Sequence, residues 1–352
     1  MEAGTLPPSP RPGLPVNTPD TLSARALAAI PPPTPQYRKP PLTAGRLLYL
    51  FYHAPRGALQ KGPAKIFRGW LGKRRLYRAL ADFQLPEPAV SVATPPLPLH
   101  VLIGARYLPE ACLLAHSLAH AASRPVTPHF YDDGTLSPDD CALLRAKLPR
   151  AAFFLRPEIE QRLAEHLPAE RFPCLRRLRP AYPHIRKLTD IHLFPGNWKL
   201  VSDADILFFA RPTALLDHLA APRACHMVDI APAYGVPQAA LDTLAGRPVH
   251  PQVNVGLCHL PSSALDWNFV EHCAATLLAA HGFSYYLEQA LSAILLARLT
   301  AVPLSSADYV VYPSATVARL ATVAALHYVD DSRAYYYDFA WRQALSLPGS
   351  RQ

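Results

Sequence analysis

The chain has 352 residues, half of them hydrophobic, with 35 Lys and Arg against 26 Asp and Glu and a net charge of +9. That length can bury one large core or two smaller ones. No apolar run nears the about 18 residues of a spanning helix, and no CxxC pair marks a zinc site. The positive charge is confined to one region: Thr21 to Ala81 holds twelve Lys and Arg and no acidic residue, and the remainder holds 23 basic and 26 acidic. The expectation is a nearly neutral body with a basic N-terminal arm. The start, "MEAGTLPPSP", has no basic segment followed by an apolar one, so no secretory signal is read there. Six scattered cysteines fit small core residues in a reduced, cytoplasmic setting.

In chain order, residues 1–44 are dense in proline ("LPPSPRPGLP", "IPPPTPQYRKPP"). Proline fixes φ and removes a backbone donor, so this piece is expected to be disordered or polyproline-like. Residues 45–97 form a basic, partly helical arm and linker. In "AKIFRGWLGKRRLYRAL", Ile66, Trp70, Tyr77 and Leu80 recur at near-helical spacing among Arg68, Lys73, Arg74, Arg75 and Arg78. Three readings stand. One is a solvated helix docked on the body. The second is a basic amphipathic helix touching anionic lipid, which would put the protein peripherally at the inner face of the membrane. The third is a phosphate-binding patch for nucleic acid, but no nucleic-acid motif accompanies it and that partner is not expected.

The body, residues 98–345, opens with a short apolar strand, His100 to Ile103, running into Gly104. A helical pattern follows through Leu113, Leu114, Leu118 and Ala121, then a second strand, the turn "YDDGT", and a second helix from about Pro138. This alternation builds a sheet with helices on its faces. In the turn, Asp132 and Asp133 read as turn formers with Gly134 at positive φ, with a nucleotide contact as the other reading. Neither GxGxxG nor GxxxxGK[ST] occurs, so a dinucleotide fingerprint and a P-loop are both unsupported.

Next comes "WKLVSDADILFF", in which Asp203 and Asp205 sit between two strand-like runs. In open α/β sheets, ligands gather beyond the carboxyl ends of strands. Two carboxylates so close repel each other unless a cation compensates. Mg²⁺ and Mn²⁺ take oxygen ligands, and Mg²⁺ is typically shared between carboxylates and substrate phosphates. A metal site is one reading and an exposed acidic turn the other. Around it lie "YPHIRKLTDIHLF" with Arg186 and Lys187, "HPQVNVGLCHLP" with Asn254 and Gly256, "SYYLEQALSAILL" with Glu288 and Gln289, and "ALHYVDDSRAYYYDFAW" with His327 and Arg333.

In this order and spacing the set resembles the GT-A nucleotide-diphospho-sugar glycosyltransferases, especially family 8-like members, over residues 100–341. Two departures are visible. The late segment lacks the glycine and the lysine-proline-tryptophan ending common in that family, and Glu288 stands where an Asp is frequent. The resemblance implies a single catalytic domain of GT-A type, a Rossmann-like mixed α/β sheet with helices on both faces, preceded by the Pro-rich basic arm. It implies Asp203, Asp205 and His327 as ligands of Mn²⁺ or Mg²⁺. Arg186 and Arg333 would meet the phosphates or sugar, the turn from Gly104 through Arg106 to Tyr107 the base and ribose, and Asn254 the donor sugar or acceptor. Glu288 and Gln289 would lie near the anomeric carbon. The function implied is a metal-dependent hexosyltransferase using a nucleotide sugar, UDP-linked, on an acceptor that the sequence does not name. A sugar-1-phosphate nucleotidyltransferase and a non-catalytic nucleotide-sugar-binding relative are the alternatives. The segment from His327 to Phe339 has no regular period and is expected to be a loop that closes over bound ligand.

Overall fold

A computed structural model describes residues 19–33, 63–82, 85, 86, 88 and 94–347. The body is a mixed α/β domain built on a seven-stranded sheet. Its strands are β1 (Leu97–Ile103), β2 (Val126–Asp132), β3 (Ala152–Phe154), β4 (Trp198–Ser202), β6 (Cys225–Val228), β7 (Val253–Pro261) and β8 (Val302–Pro303), in the order β3-β2-β1-β4-β7-β6-β8. β5 (Ile206–Phe208), β9 (Tyr309–Val311) and β10 (Ala325–His327) form a second sheet, ordered β5-β10-β9. β1 is parallel to β2 and β4, while β7 runs antiparallel to β4 and β6. All nine residues of β7 are buried, as a strand covered on both faces requires.

Helices α1 (Pro19–Ala29), α2 (Pro63–Ala79), α3 (Leu108–Ala122), α4 (Pro138–Lys147), α5 (Arg156–His166), α6 (Pro173–Ala181), α7 (Arg186–Thr189), α8 (Thr213–Ala220), α9 (Gln238–Ala245), α10 (Trp267–His281), α11 (Leu287–Arg298), α12 (Ala315–Leu320), α13 (Arg333–Tyr335) and α14 (Trp341–Leu345) cover the sheets. Two apolar cores result, one on each face of the large sheet. Leu99, Val101 and Leu200 face α3, while Val201, Val253 and Leu260 face α10 and α11. All six cysteines are buried and free. Among the described residues, no helix is long and apolar enough to cross a membrane.

Three local expectations change. First, residues 1–44 are not uniformly irregular, because Pro19 to Ala29 forms α1, which packs on α10 with Ala26 and Ile30 buried. The stretch from Asp20 to Ile30 contains no proline, and Pro19 sits where a helix tolerates it. The rest of the proline-rich piece lies outside the described residues. Second, the late segment is not an open loop. After β10 come a 3₁₀ turn (Asp330–Ser332), α13, a π turn (Tyr336–Ala340) and α14, with Tyr328, Tyr336 and Trp341 buried. Its apolar residues do not recur at one helical period because the segment changes helix type midway.

Third, α2 docks on this C-terminal segment, with Gly69 against Ala334 and Gly72 against Tyr337, buries Leu76, and leaves Phe67 and Trp70 exposed. Trp70 therefore faces away from the body. The interface is pinned by Glu110 on α3, which has no exposed surface. Its carboxylate accepts hydrogen bonds from Tyr337 Oη at 2.7 Å and Tyr77 Oη at 3.2 Å, with Lys73 Nζ 3.8 Å away. Burial pushes the Glu110 carboxyl upward, opposed by Lys73 and the two phenols. Deleting residues 1–82 would expose Leu76's cavity and strip two of these three partners from a buried carboxylate. The truncated chain should melt at least about 5 °C lower, on the scale of a 2–3 kcal/mol loss in a domain of this size. Glu110→Gln should lessen that deficit. Equal melting temperatures for full and truncated chains, read by circular dichroism, would mean that α2 is an ornament on the body.

Candidate active site

Asp203, Ala204 and Asp205 link β4 of the large sheet to β5 of the small one. The carboxylates therefore stand at the seam between the two sheets. The Asp203 N–H donates to the Gly256 carbonyl at 2.7 Å, and the Asp205 carbonyl accepts from the Tyr328 N–H at 3.1 Å. β10 lies antiparallel to β5 with His327 opposite Ile206. This pairing carries a histidine from the far end of the chain to the residue following Asp205. The His327 Nε2 is 3.2 Å from Asp205 Oδ1 and 3.7 Å from Asp203 Oδ2. One ligand atom from each of the three residues lies within 4.8 Å of the others.

The N-x-G strand explains how His327 is held. Asn254 Oδ1 accepts from the Gly256 N–H at 3.0 Å and faces His327 Nδ1 at 3.0 Å, while Asn254 Nδ2 donates to Asp229 Oδ2 at 3.0 Å. A backbone donor on one end and a carboxylate on the other fix which way the amide points. Nδ1 then donates to Asn254, which leaves Nε2 as the nitrogen that faces the two aspartates. Gly256 makes room: a Cβ there would lie 2.1 Å from His327 Cε1. Two carboxylates and an imidazole nitrogen, which a metal would bind in place of its proton, are a donor set that suits Mn²⁺ or Mg²⁺.

In this state the cluster is balanced by protein cations. Lys187 Nζ, on α7, is 3.1 Å from Asp203 Oδ1 and 3.6 Å from Glu288 Oε2. Burial lowers the Lys187 pKa, but the two carboxylates outweigh it and hold the amine charged. Arg333, on α13, donates to Asp205 Oδ2 from Nε at 3.0 Å and Nη2 at 2.8 Å. Burial pushes the Asp205 carboxyl up, yet His327 and Arg333 overcome this and bring it to about 2. Burial raises Glu288, with Lys187 opposing.

The expected residues are not equally close. Asp203, Asn254, Glu288, Gln289, His327 and Arg333 all line a cavity of about 410 Å³. Gly104, Asp203, Asp205 and Arg333 line a second of about 190 Å³. His184, Lys187, Asp203 and Arg333 border both, so the two adjoin at the acidic cluster. Gln289 Nε2 donates to the Ala233 carbonyl at 2.8 Å. Arg106 is exposed, and its carbonyl accepts from Tyr77 Oη. Arg186 points elsewhere: it donates to the carbonyls of Asp133 and Arg179 and lines neither cavity. On this helix the cation at the carboxylates is its neighbour Lys187, to which the sequence assigned no role. A one-residue choice on a four-residue helix has no periodic signal to settle it.

No family model and no curated protein matches the chain. Among solved structures it is similar to the WbbM bifunctional glycosyltransferase, at 11% identity over 74% of this chain, with a TM-score of 0.47. It spans 51% of that protein, about half its length. It is also similar to the galactosyltransferase LgtC, solved with donor and acceptor sugar analogues, at 17% identity over 72% of this chain and 96% of that one, with a TM-score of 0.45. Mouse xyloside xylosyltransferase 1 is similar at 12% identity over 66% of this chain and 97% of that one, with a TM-score of 0.45.

Arg333 and a divalent cation would contend for the same oxygen of Asp205. Arg333→Ala should therefore tighten Mn²⁺ binding to the nucleotide-free protein, by about 2- to 10-fold for a competing charge at a half-exposed site. The same variant should weaken UDP binding. Titration calorimetry separates the two. Weaker Mn²⁺ binding would mean that Arg333 organises the ligand Asp205 and does not compete for it.

Proposed function

We propose that the chain is a metal-dependent glycosyltransferase that moves a hexose from a UDP-linked sugar to an acceptor hydroxyl. The observation that carries this is the convergence of Asp203, Asp205 and His327 at the mouth of two adjoining cavities. Bound there, Mn²⁺ or Mg²⁺ supplies Lewis-acid stabilisation of the departing diphosphate. The order of motifs that resembles the GT-A glycosyltransferases picks out these same residues. Arg333 has the fork and the half-exposed position to turn from Asp205 to a phosphate. Lys187 Nζ bridges Asp203 and Glu288 and offsets part of the cost of burying Glu288. Glu288 and Gln289, at the start of α11, border the larger cavity where a sugar carbon would sit. Tyr285, Tyr286 and Ile230 are exposed at its rim and offer apolar faces to an acceptor.

The protein is read as working at the cytoplasmic face, in peripheral contact with anionic membrane. Supporting this, Phe67 and Trp70 are exposed on the outer side of α2, stacked 5.9 Å apart, and the Arg74 guanidinium lies 4.7 Å from the Trp70 ring. Arg68, Arg75 and Arg78 are exposed on the same helix. An aromatic pair among arginines is the composition of an interfacial helix.

The test is release of UDP from UDP-hexoses with Mn²⁺ and with EDTA. Asp203→Asn and Asp205→Asn should each cut turnover at least about 100-fold, the size of a lost electrostatic contact to a developing charge. Each should also lower the melting temperature modestly, because buried Lys187 loses a charged partner in the first and Arg333 and His327 lose one in the second. Equal turnover in EDTA would overturn metal dependence. Pyrophosphate release from a nucleoside triphosphate and a sugar-1-phosphate would support a nucleotidyltransferase instead.

A further inference from the structure

A third cavity, of about 390 Å³, shares no lining residue with the two cavities of the candidate active site, and it nearly equals the larger of them. It lies between the carboxyl-terminal half of α11, strand β6 and the segment 247–251, which joins α9 to β7. Val249, Val253, Leu296, Ala297 and Ala301 give it aliphatic walls. The joining segment is firmly held. The Val249 N–H donates to Asp242 Oδ1 at 2.8 Å, its carbonyl accepts from Gln238 Nε2 at 2.8 Å, and the His250 carbonyl accepts from Tyr234 Oη. Pro248 and Pro251 fix two of its φ angles. These are the features of a pre-formed, mostly apolar pocket with a few placed polar groups.

Two imidazoles line this space with opposite hydrogen-bonding character. β6 shifts register against β7 between His226 and Met227, an irregularity of the kind that re-aims a side chain. His226 is 2% exposed, and burial lowers its pKa to about 4, so the ring is neutral at pH 7. Its Nδ1 meets the Met227 carbonyl at 2.7 Å. A carbonyl only accepts, so Nδ1 carries the single proton and Nε2 keeps a lone pair. Among the described residues that nitrogen has no hydrogen-bond partner. His250 is the reverse. Its Nδ1 accepts from the Gln252 N–H at 3.1 Å, so its proton sits on Nε2. The ring centroids are 5.3 Å apart and the planes cross at 64°. A lone pair and an N–H side by side fit a hydroxyl, which donates to one and accepts from the other.

Arg247 supplies the third polar group. Its Nη1 donates to the carbonyls of Ala297 and Arg298 at 3.1 and 3.4 Å, which caps the end of α11. The guanidinium is thereby fixed at the cavity edge, and among the described residues its Nε and Nη2 have no partner. A planar fork with donors to spare is a carboxylate site. We infer that this cavity binds a small aliphatic hydroxy acid, its chain against the apolar walls, its hydroxyl between His226 and His250, and its carboxylate on Arg247. A free sugar does not fit, because the aliphatic walls would leave most of its hydroxyls without partners.

Titration calorimetry with β-hydroxyoctanoate, octanoate and the methyl ester of β-hydroxyoctanoate tests each part on the wild-type protein. Octanoate lacks the hydroxyl and should bind about 2- to 10-fold more weakly than the hydroxy acid, the range for a neutral hydrogen bond. The ester lacks the charge and should bind about 10- to 100-fold more weakly, the range for a charged one. UDP with Mn²⁺ should not displace the acid. Ala297→Leu, at the half-buried rim, should abolish binding by filling the space, and Arg247→Gln should bring the acid down to the affinity of its ester. Circular dichroism checks that both variants fold, and the three ligands on wild-type protein decide alone if either does not. No binding of the hydroxy acid, equal affinity for acid and ester, or unchanged affinity in Ala297→Leu overturns the inference. So does displacement by UDP with Mn²⁺, which would put the acid in the donor cavity. Equal affinity for octanoate and the hydroxy acid would mean that a water serves the two imidazoles, and the hydroxy-acid assignment falls. The inference is independent of the glycosyltransferase reading, and a failure to bind UDP leaves it standing.

Discussion

Three carboxylates crowded at the seam of two sheets set the terms for everything around them. Asp203, Asp205 and Glu288 are each half-buried or buried, and burial alone would disfavour the charge on Asp205 and Glu288. The fold answers with three nitrogen-bearing groups from two distant segments. Lys187 comes from the short helix before β4, His327 from β10, and Arg333 from the helix after it. Lys187 is buried and wedged between Asp203 and Glu288, so it is a fixed part of the balance. Arg333 is half-exposed and holds Asp205 from the solvent side. The cluster thus has one permanent cation and one at its open face, where an exchange of partners costs the least desolvation.

That division extends to the walls. The α2 helix is part of the arm by composition, yet it packs beside the turn that borders the smaller cavity. Lys73 Nζ lies 5.5 Å from the Tyr107 ring centroid and 5.0 Å from that of Tyr337. Tyr77 Oη donates to the Arg106 carbonyl, on the same turn that carries Gly104. The C-terminal segment that places Arg333 is held by Tyr337 on Glu110. One buried carboxylate therefore ties together the arm helix, the first turn of the body and the segment bearing the solvent-side arginine. The electrostatics of the outer surface and of the site are joined by packing, over distances too long for screened charges to act directly.

Much of this was legible in the chain. The β-α-β-α alternation follows from period and punctuation, and Asp203 and Asp205 stand out because carboxylates between two apolar runs have few structural uses. Asn254 and His327 were also legible as members of an ordered set. Their actual relation was not, since Asn254 spends its amide on orienting His327 and on Asp229. Lys187 was hidden because an α turn of four residues gives no face to read. Trp70 was misplaced because the inward face of α2 contains two glycines, which carry no hydrophobic signal. α1 was masked by the prolines on either side of it. In each case the missing information is a contact between segments far apart in sequence.

Gly104 and Gly256 show how such contacts leave a trace. Each is the residue whose missing side chain admits a polar group from another element, an aspartate in one case and a histidine in the other. Neither has the positive φ that ordinarily explains a glycine; the left-handed glycines of this chain are others, such as Gly134 and Gly246. A glycine inside or just beyond an apolar strand weakens that strand and gives no packing in return. Here the loss is offset by a functional group that can approach the backbone at close range. One glycine just past β1 and one inside β7 are therefore the positions at which Asp133 and His327 come close to the backbone, on either side of the acidic cluster.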